Sequence, residues 1–337
     1  MLSQENKSDI KTDTIIKVRD LNVYFEGYYG TTQVLNDVSI DIKKGEALGI
    51  VGESGCGKST FALSIMRLLQ SPPARIEGSI DFCGTDLLKL TAREMQSIRG
   101  NRISMIFQEP MSSLNPVFTI GNQLSEVFML HQNMTKSEAR EASIEALRMV
   151  NVAMPEKRIK EYPYQLSGGM RQRVMIAMAL ACKPELLIAD EPTTALDVTI
   201  QAQVLDLMRN LRDSMDTAIA FITHDLGVIS EMCERVAVFY CGEIVEIAMV
   251  DELFTNPMHP YTKGLLAALP RKGSRGEKLY VIPGTVPEAG DFPKGCVFAP
   301  RCTQVEDRCY KEKPNFSLFD NEHKVKCFLY EGFVKLI

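Results

Sequence analysis

Gly52-Glu53-Ser54-Gly55-Cys56-Gly57-Lys58-Ser59-Thr60 is the stretch that decides the fold. The apolar residues 47–51 before it are typical of a buried strand, and residues 61–69 after it predict a helix. A GxxxxGKS/T segment between a strand and a helix predicts a phosphate-binding loop. Its glycines let successive backbone N–H groups turn inward, so that they and the helix N-terminus face an anion.

Two residues of this loop have specific roles in that prediction. Lys58 would reach the β- and γ-phosphates of a nucleotide, and Ser59 would ligate Mg²⁺. The alternative is a glycine-rich turn that binds no ligand. Asp190 and Glu191 end a later apolar run, where two acids suit Mg²⁺ binding and water activation. His224 ends another such run, at the sheet edge where ligands bind in α/β folds.

A second glycine-based anion site is predicted at Leu166-Ser167-Gly168-Gly169-Met170, directly before the apolar residues 174–180. Ser167 suits a helix N-cap, and Gly168 and Gly169 leave the backbone N–H groups of the helix start open. The alternative is a plain helix start.

Composition excludes several classes of protein. The chain has 337 residues, enough for about two domains. Its net charge of −5 gives no electrostatic case for nucleic acid. Because the first residues lack the order of a signal peptide and no apolar run is long enough for a membrane span, we expect a cytoplasmic protein that reaches a membrane through a partner.

The chain divides into segments of different pattern. Residues 1–13 are predicted to form a disordered polar arm. Residues 14–42 alternate with period two, which predicts an antiparallel sheet with a hairpin tip at residues 27–30. Residues 109–166 change to helical spacing, which predicts a helical subdomain inserted between strands.

These motifs, in this order, resemble an ABC-transporter ATPase over about residues 14–255. The phosphate loop resembles Walker A, Gln108 the Q-loop, and Glu191 the acid after Walker B. The signature resembles the family pattern but has Met170 at its last position. Further matches are Leu186 to Asp190 for Walker B, Ala195-Leu196-Asp197 for the D-loop and His224 for the switch histidine.

The C-terminal part of the chain resembles one particular family of these ATPases. Residues 256–266, residues 282–284 and a tail with four cysteines resemble the oligopeptide/dipeptide permease ATPases, and residues 99–110 resemble their D-type subunit. The resemblance implies an α/β fold: a P-loop ABC ATPase core with an antiparallel β subdomain, an inserted helical subdomain and a small Cys-rich C-terminal lobe. The ATPase domain would span residues 14–255 and the C-terminal extension residues 256–337.

The family arrangement implies a role for each motif. Two ATPase subunits face head to tail, and each ATP lies between Walker A of one and the signature of the other. Glu191 would activate the attacking water, His224 would sense the γ-phosphate, and Phe25 would stack on adenine. Ser59, Gln108 and Asp190 would arrange Mg²⁺. The nucleotide-binding set comprises Phe25, Gly52, Ser54, Gly55, Cys56, Gly57, Lys58, Ser59 and Thr60, with Ser167, Gly168 and Gly169 acting on the partner's ATP.

The resemblance also implies partners. These are an F-type second ATPase subunit, two membrane permease subunits and, indirectly, an extracellular solute-binding protein. The protein would then lie at the cytoplasmic face of the membrane and power the import of di- or oligopeptides. Import of nickel or another small solute is one alternative, and a soluble ABC ATPase without a transport role is another. A regulatory protein with an inactive cassette is disfavoured because Lys58, Asp190, Glu191 and His224 are all present.

The four cysteines of the tail are a candidate metal site. Cys296, Cys302, Cys309 and Cys327 are spaced C-x5-C-x6-C-x17-C. Small segments that cannot form a core of their own often fold around a metal. Four thiolates suit a 4Fe–4S cluster or structural Zn²⁺, and unliganded thiols are the third possibility. The spacing lacks the CxxC pairs typical of zinc, and the family resemblance also implies iron–sulfur.

Overall fold

The computed structural model describes residues 14–28, 30–108, 113–193, 197–269, 280–319 and 322–332. The predicted arm, residues 1–13, lies outside them. Within these ranges the strands form one sheet of four strands and one of eight. The strands are β1 Thr14–Gly27, β2 Gly30–Lys43, β3 Ala47–Val51, β4 Ala74–Phe82, β5 Thr85–Asp86, β6 Ile103–Ile106, β7 Leu186–Asp190, β8 Ala218–Thr223, β9 Arg235–Tyr240, β10 Glu243–Met249, β11 Phe316–Leu318 and β12 Lys324–Lys326.

The four-stranded sheet is antiparallel, in the order β2-β1-β4-β5, which confirms the predicted antiparallel subdomain. Gly27 pairs with Gly30 at the hairpin tip. Residues 14–27 before this tip form one strand, β1. Its register shifts between Val18 and Leu21, where a bulge interrupts the alternation without ending the strand.

The eight-stranded sheet has the order β11-β12-β10-β9-β3-β8-β7-β6. Strands β3, β6, β7, β8 and β9 are parallel, and every residue of β3, β7 and β8 is buried. A parallel strand covered on both faces requires a continuous apolar run, which is the pattern of these segments. The carboxyl ends of β3, β7 and β8 therefore meet at one edge, where the candidate site lies.

Ten α-helices pack on these sheets within the described ranges. They are α1 Lys58–Ile65, α2 Ala92–Ile98, α3 Ile120–Gln132, α4 Lys136–Met149, α5 Pro155–Arg158, α6 Gly168–Leu180, α7 Val198–Met215, α8 Leu226–Met232, α9 Val250–Thr255 and α10 Pro260–Ala267. None of the helices in the described part of the chain is long and apolar enough to cross a bilayer.

The predicted helical block is present as α3, α4 and α5. Thr119 caps α3, and Thr135 with Glu138 forms a capping box at the start of α4. The prediction for α1 was too long at its C-terminal end. The helix ends at Ile65, and Arg67 has a left-handed φ of 48°, which an α-helix cannot contain.

The C-terminal extension continues the larger sheet. Strand β12 pairs with β10, and β11 pairs with β12. The structure therefore does not confirm a separate Cys-rich lobe. Glu246 of β10 is fully buried and accepts hydrogen bonds from the backbone N–H groups of Met258 (2.7 Å) and His259 (2.9 Å) and from Nε2 of His323 (2.7 Å). One carboxylate thus joins two separate segments of the extension to the cassette.

Candidate functional site

The phosphate loop lies between β3 and α1, as the sequence predicts. Gly55 and Gly57 have φ angles of 78° and 99°, values that favour glycine. A Cβ at Gly57 would lie 2.7 Å from Cδ2 of Leu35, so the turn also needs glycine for space. Ser54 and Gly55 are exposed, whereas Cys56 and Gly57 are buried. The loop therefore presents its tip to solvent above a packed base.

Lys58 is buried and turns back onto the loop. Its Nζ donates to the carbonyl oxygens of Gly52 (2.8 Å) and Glu53 (2.9 Å) and lies 3.7 Å from Sγ of Cys56. These contacts hold the ammonium group against the inside of the loop. A cation fixed beside a helix N-terminus favours the binding of an anion there.

Asp190 and Ser59 meet at the edge of the sheet. Asp190 is only 4% exposed, and burial raises the pKa of its carboxyl, an effect that the hydrogen bond with Ser59 partly offsets. Its Oδ1 is buried without a hydrogen-bond partner in the part of the chain that the structure describes. A buried carboxylate oxygen without a partner costs free energy, which a bound cation would recover. One carboxylate and one hydroxyl beside a phosphate site fit the ligand preferences of Mg²⁺.

Glu191 joins the other two predicted catalytic residues. Nε2 of Gln108 donates to Oε2 of Glu191 at 3.1 Å, and Nδ1 of His224 lies 3.0 Å from Oε1. Glu191 has a left-handed φ of 46° directly after β7, and this turn separates its side chain from that of Asp190. Gln108 and His224, from two separate segments, thus converge on the carboxylate of Glu191. Among the described residues Gln108 forms no hydrogen bond with Asp190 or Ser59.

The signature residues lie at the start of α6. Oγ of Ser167 caps the helix by accepting from the N–H of Met170 at 3.4 Å. In the part of the chain that the structure describes, nothing lies within 4 Å of a Cβ built on Gly168, so the helix start is open to a ligand there. In the described segments no hydrogen bond links Ser167, Gly168 or Gly169 to the phosphate loop.

The predicted adenine-stacking position has two neighbouring aromatics. Phe25 is half-buried and packs against the hydrophobic core. The ring of Tyr24 is covered by the guanidinium of Arg75, 4.3 Å from its centroid. Stacking of adenine on Phe25 stays a prediction. The D-loop residues Ala195 and Leu196 lie outside the described residues, and Asp197 caps α7.

The four C-terminal cysteines line one cavity. Each sulfur accepts a backbone N–H: Cys296 from Phe298, Cys302 from Gln304 (3.3 Å), Cys309 from Glu306 (3.5 Å) and Cys327 from Leu329. Burial, with smaller effects of the other cysteines, raises the pKa of Cys296 to about 12. Among the described residues no three His, Cys, Asp or Glu side chains are grouped so as to hold a metal ion.

Sequence reasoning missed one neighbour of the phosphate loop. The carboxylate of Glu53 forms an ion pair with Arg301, which is 248 positions away. Glu53 occupies one of the unspecified positions of the GxxxxGKS/T segment and Arg301 belongs to none of the motifs described above, so only the folded chain shows that they pair.

Comparisons with known proteins agree with this architecture. A family model described as "ABC transporter" matches residues 35–194, and one described as "Oligopeptide/dipeptide transporter, C-terminal region" matches residues 245–309. The ATP-binding cassette MJ0796, solved as a dimer bound to ADP and Pi, has a TM-score of 0.63 and 28% identity, covering 70% of this chain and 99% of its own.

Curated relatives match nearly the whole chain. The oligopeptide transport ATP-binding protein AppD of Bacillus subtilis is 52% identical over 94% of this chain and 97% of its own length. The dipeptide transport ATP-binding protein DppD of the same organism is 47% identical over 94% and 95%. OppD of Salmonella typhimurium is 49% identical over 90% of each. The chain therefore belongs to the ABC-transporter ATPases, in the family of oligopeptide/dipeptide permease ATP-binding subunits.

Proposed function

We propose that this chain hydrolyses ATP to power the import of di- or oligopeptides. The observation that carries the proposal is the convergence of Gln108 and His224 on Glu191, beside the pair Asp190 and Ser59. Lys58 and the loop N–H groups bind the phosphates, and Glu191 takes a proton from the attacking water. His224 holds Glu191 in place and responds to the γ-phosphate.

Mg²⁺ would be held by Ser59 and Asp190, with Gln108 as the third predicted residue of this site. When bound, the ion neutralises charge on the phosphates. The assignment is supported by Oδ1 of Asp190, which is buried and has no hydrogen-bond partner among the described residues.

Asp190→Asn is expected to weaken Mg²⁺-dependent ATP binding about tenfold or more, because an amide oxygen carries no charge for the cation. The measurement is the Kd for ATP with Mg²⁺ and with EDTA. The Kd of the wild-type protein should differ strongly between Mg²⁺ and EDTA, whereas the Kd of Asp190→Asn should not. Asp206→Asn, an exposed acid on α7, is the matched control and should behave as wild type. A variant that keeps the full Mg²⁺ effect would refute the role of Asp190.

The peptide substrate is supported by the names of the relatives and by the match to the oligopeptide/dipeptide C-terminal region. The test is uptake of labelled di- and tetrapeptides by cells that lack the chain, with and without complementation. Restored uptake supports the proposal. Restored nickel uptake without peptide uptake would favour the alternative solute, and no transport defect would favour a soluble ABC ATPase.

The partner subunit is proposed to be a distinct F-type ATPase. The open helix start at Gly168 and the similarity to an ATP-binding cassette solved as a dimer support a head-to-tail pair, in which each site is completed by the other subunit. Two permease subunits would complete the assembly at the cytoplasmic face of the membrane, with an extracellular solute-binding protein acting indirectly. Co-purification of a second, different ATPase chain with the tagged protein tests the heterodimer, and recovery of only this chain contradicts it.

The four cysteines are proposed to hold a 4Fe–4S cluster, with zinc as the alternative. The shared cavity and the four N–H groups directed at the sulfurs support metal-bound thiolates, because such N–H groups stabilise negative sulfur. Among the described residues the four side chains are not grouped so as to hold a metal ion, so binding of either metal would require them to move.

Anaerobic purification is expected to give about four irons and four sulfides per chain, with a broad absorbance near ~400 nm. Cys302→Ser should lower the iron content, whereas Cys83→Ser, which changes an exposed cysteine elsewhere, should not. One zinc per chain without iron would replace the cluster by a structural ion. Absence of both metals would leave four unliganded thiols.

A further inference from the structure

Glu53 of the phosphate loop is held at three separate groups. Its backbone C=O accepts from Nζ of Lys58 at 2.9 Å. Its backbone N–H donates to Oη of Tyr261 at 2.9 Å. Its carboxylate receives two hydrogen bonds from Arg301, Nη1 to Oε2 at 2.7 Å and Nη2 to Oε1 at 3.1 Å. Two of the three anchors belong to the C-terminal extension.

Arg301 is fixed by its surroundings. Its side chain is 4% exposed, and that of Glu53 is 30% exposed. Nε of Arg301 donates to the carbonyl oxygen of Pro283 at 2.9 Å. The guanidinium of Arg301 binds Pro283 through Nε and Glu53 through its two Nη atoms, which leaves it little rotational freedom. This paired hydrogen bonding fixes the position of the Glu53 carboxylate.

Tyr261 is equally constrained. It is fully buried in α10, and its ring lies 4.6 Å from that of Tyr240 and 5.4 Å from that of Phe298, measured between centroids. The hydroxyl at the end of this aromatic cluster accepts from the loop. The extension therefore contacts the backbone of the loop as well as its side chain.

The charge of Glu53 matters because the loop binds an anion. A carboxylate beside a triphosphate site opposes binding unless a cation neutralises it. Lys58 is already directed to the phosphates in the proposed function, and Arg301 is the cation that pairs with Glu53. Loss of Arg301 would leave one uncompensated negative charge and a loosened loop at the same point.

We propose that Arg301 and Tyr261 are positioning residues for ATP binding, through which the C-terminal extension sets the shape and charge of the phosphate loop. The inference rests on the proposed role of that loop. Neither residue touches the nucleotide. They act through Glu53, whose carbonyl in turn orients Lys58.

The test is titration of the full-length chain with a fluorescent ATP analogue, together with steady-state kinetics. Arg301→Gln is expected to raise the Kd and the KM for ATP about tenfold, equivalent to about 1.4 kcal/mol, with kcat changed less than about twofold. Lys313→Gln is the control, since it removes a cation of the same extension that pairs with Glu243 instead. Its Kd should equal that of wild type.

The second substitution separates positioning from folding. In the Arg301→Gln background, Glu53→Gln removes the uncompensated charge and should restore the Kd to within about threefold of wild type. Tyr261→Phe removes only the hydroxyl and should raise the Kd for the ATP analogue about threefold. This variant tests the proposal if Arg301→Gln does not fold. Arg301→Gln or Tyr261→Phe with a lower unfolding temperature and an unchanged Kd would overturn the inference. Failure of wild type to bind the analogue would instead refute the role of the loop.

Discussion

Glu191→Gln is expected to lower ATP turnover by about a hundredfold or more while ATP binding is retained. The amide has the shape of the carboxylate but cannot take a proton from water. Glu191 is positioned by hydrogen bonds with Gln108 and His224, and glutamine can keep both contacts. Without hydrolysis, the ATP-bound pair of subunits should persist as a closed dimer.

The measurement is single-turnover hydrolysis in the assembled transporter, with ATP binding and dimer lifetime measured in parallel. Glu185→Gln is the matched control, since Glu185 lies just before the opposite end of β7 and pairs with Arg102. It should leave turnover within about twofold of wild type, as is usual for exposed ion pairs. Unchanged turnover in Glu191→Gln would remove Glu191 from the catalytic role.

Glu246→Ala is expected to cost about 3–5 kcal/mol of stability, and to lower the midpoint of thermal unfolding by roughly 10 °C. The substitution leaves His323 and two backbone N–H groups buried without their acceptor. Glu252→Ala is the control. Glu252 is 34% exposed and lies 3.9 Å from the other nitrogen of His323, so its loss should shift the midpoint little.

The stability that the Glu246 carboxylate contributes is expected to depend on pH. Burial would raise the pKa of Glu246, but the hydrogen bonds from His323 and from the two N–H groups outweigh it and lower the pKa below its ordinary value of 4.5. Stability from this group is therefore complete above pH 4.5 and is lost as the pH falls through the lower native pKa. Glu246→Ala should be less sensitive to acid over that interval, and an equal sensitivity would contradict the assignment.

The sequence was sufficient for features that depend on local pattern. Apolar runs located β3, β7 and β8, and the helical spacing within residues 109–166 predicted the helical block. It failed where long-range packing decides. No local sequence pattern shows that Glu191 accepts a hydrogen bond from Gln108 or that Glu53 pairs with Arg301, because contacts between distant residues produce no periodicity in the sequence. The end of α1 was missed since Arg67 takes a left-handed conformation that residue type alone does not signal.

The pairing of β12 with β10 has a consequence for how such subunits can be recombined. The division into an ATPase domain, residues 14–255, and a C-terminal extension, residues 256–337, suggests two parts that could be exchanged between related chains. The sheet, however, runs across that boundary, and Glu246 on one side takes its hydrogen-bond donors from the other. A chimaera joined there would bring together two parts from different proteins, whose buried polar groups need not form the hydrogen bonds that Glu246 forms here. A functional chimaera should therefore be joined at a point outside the sheet. We expect the extension and the catalytic core to have been inherited together.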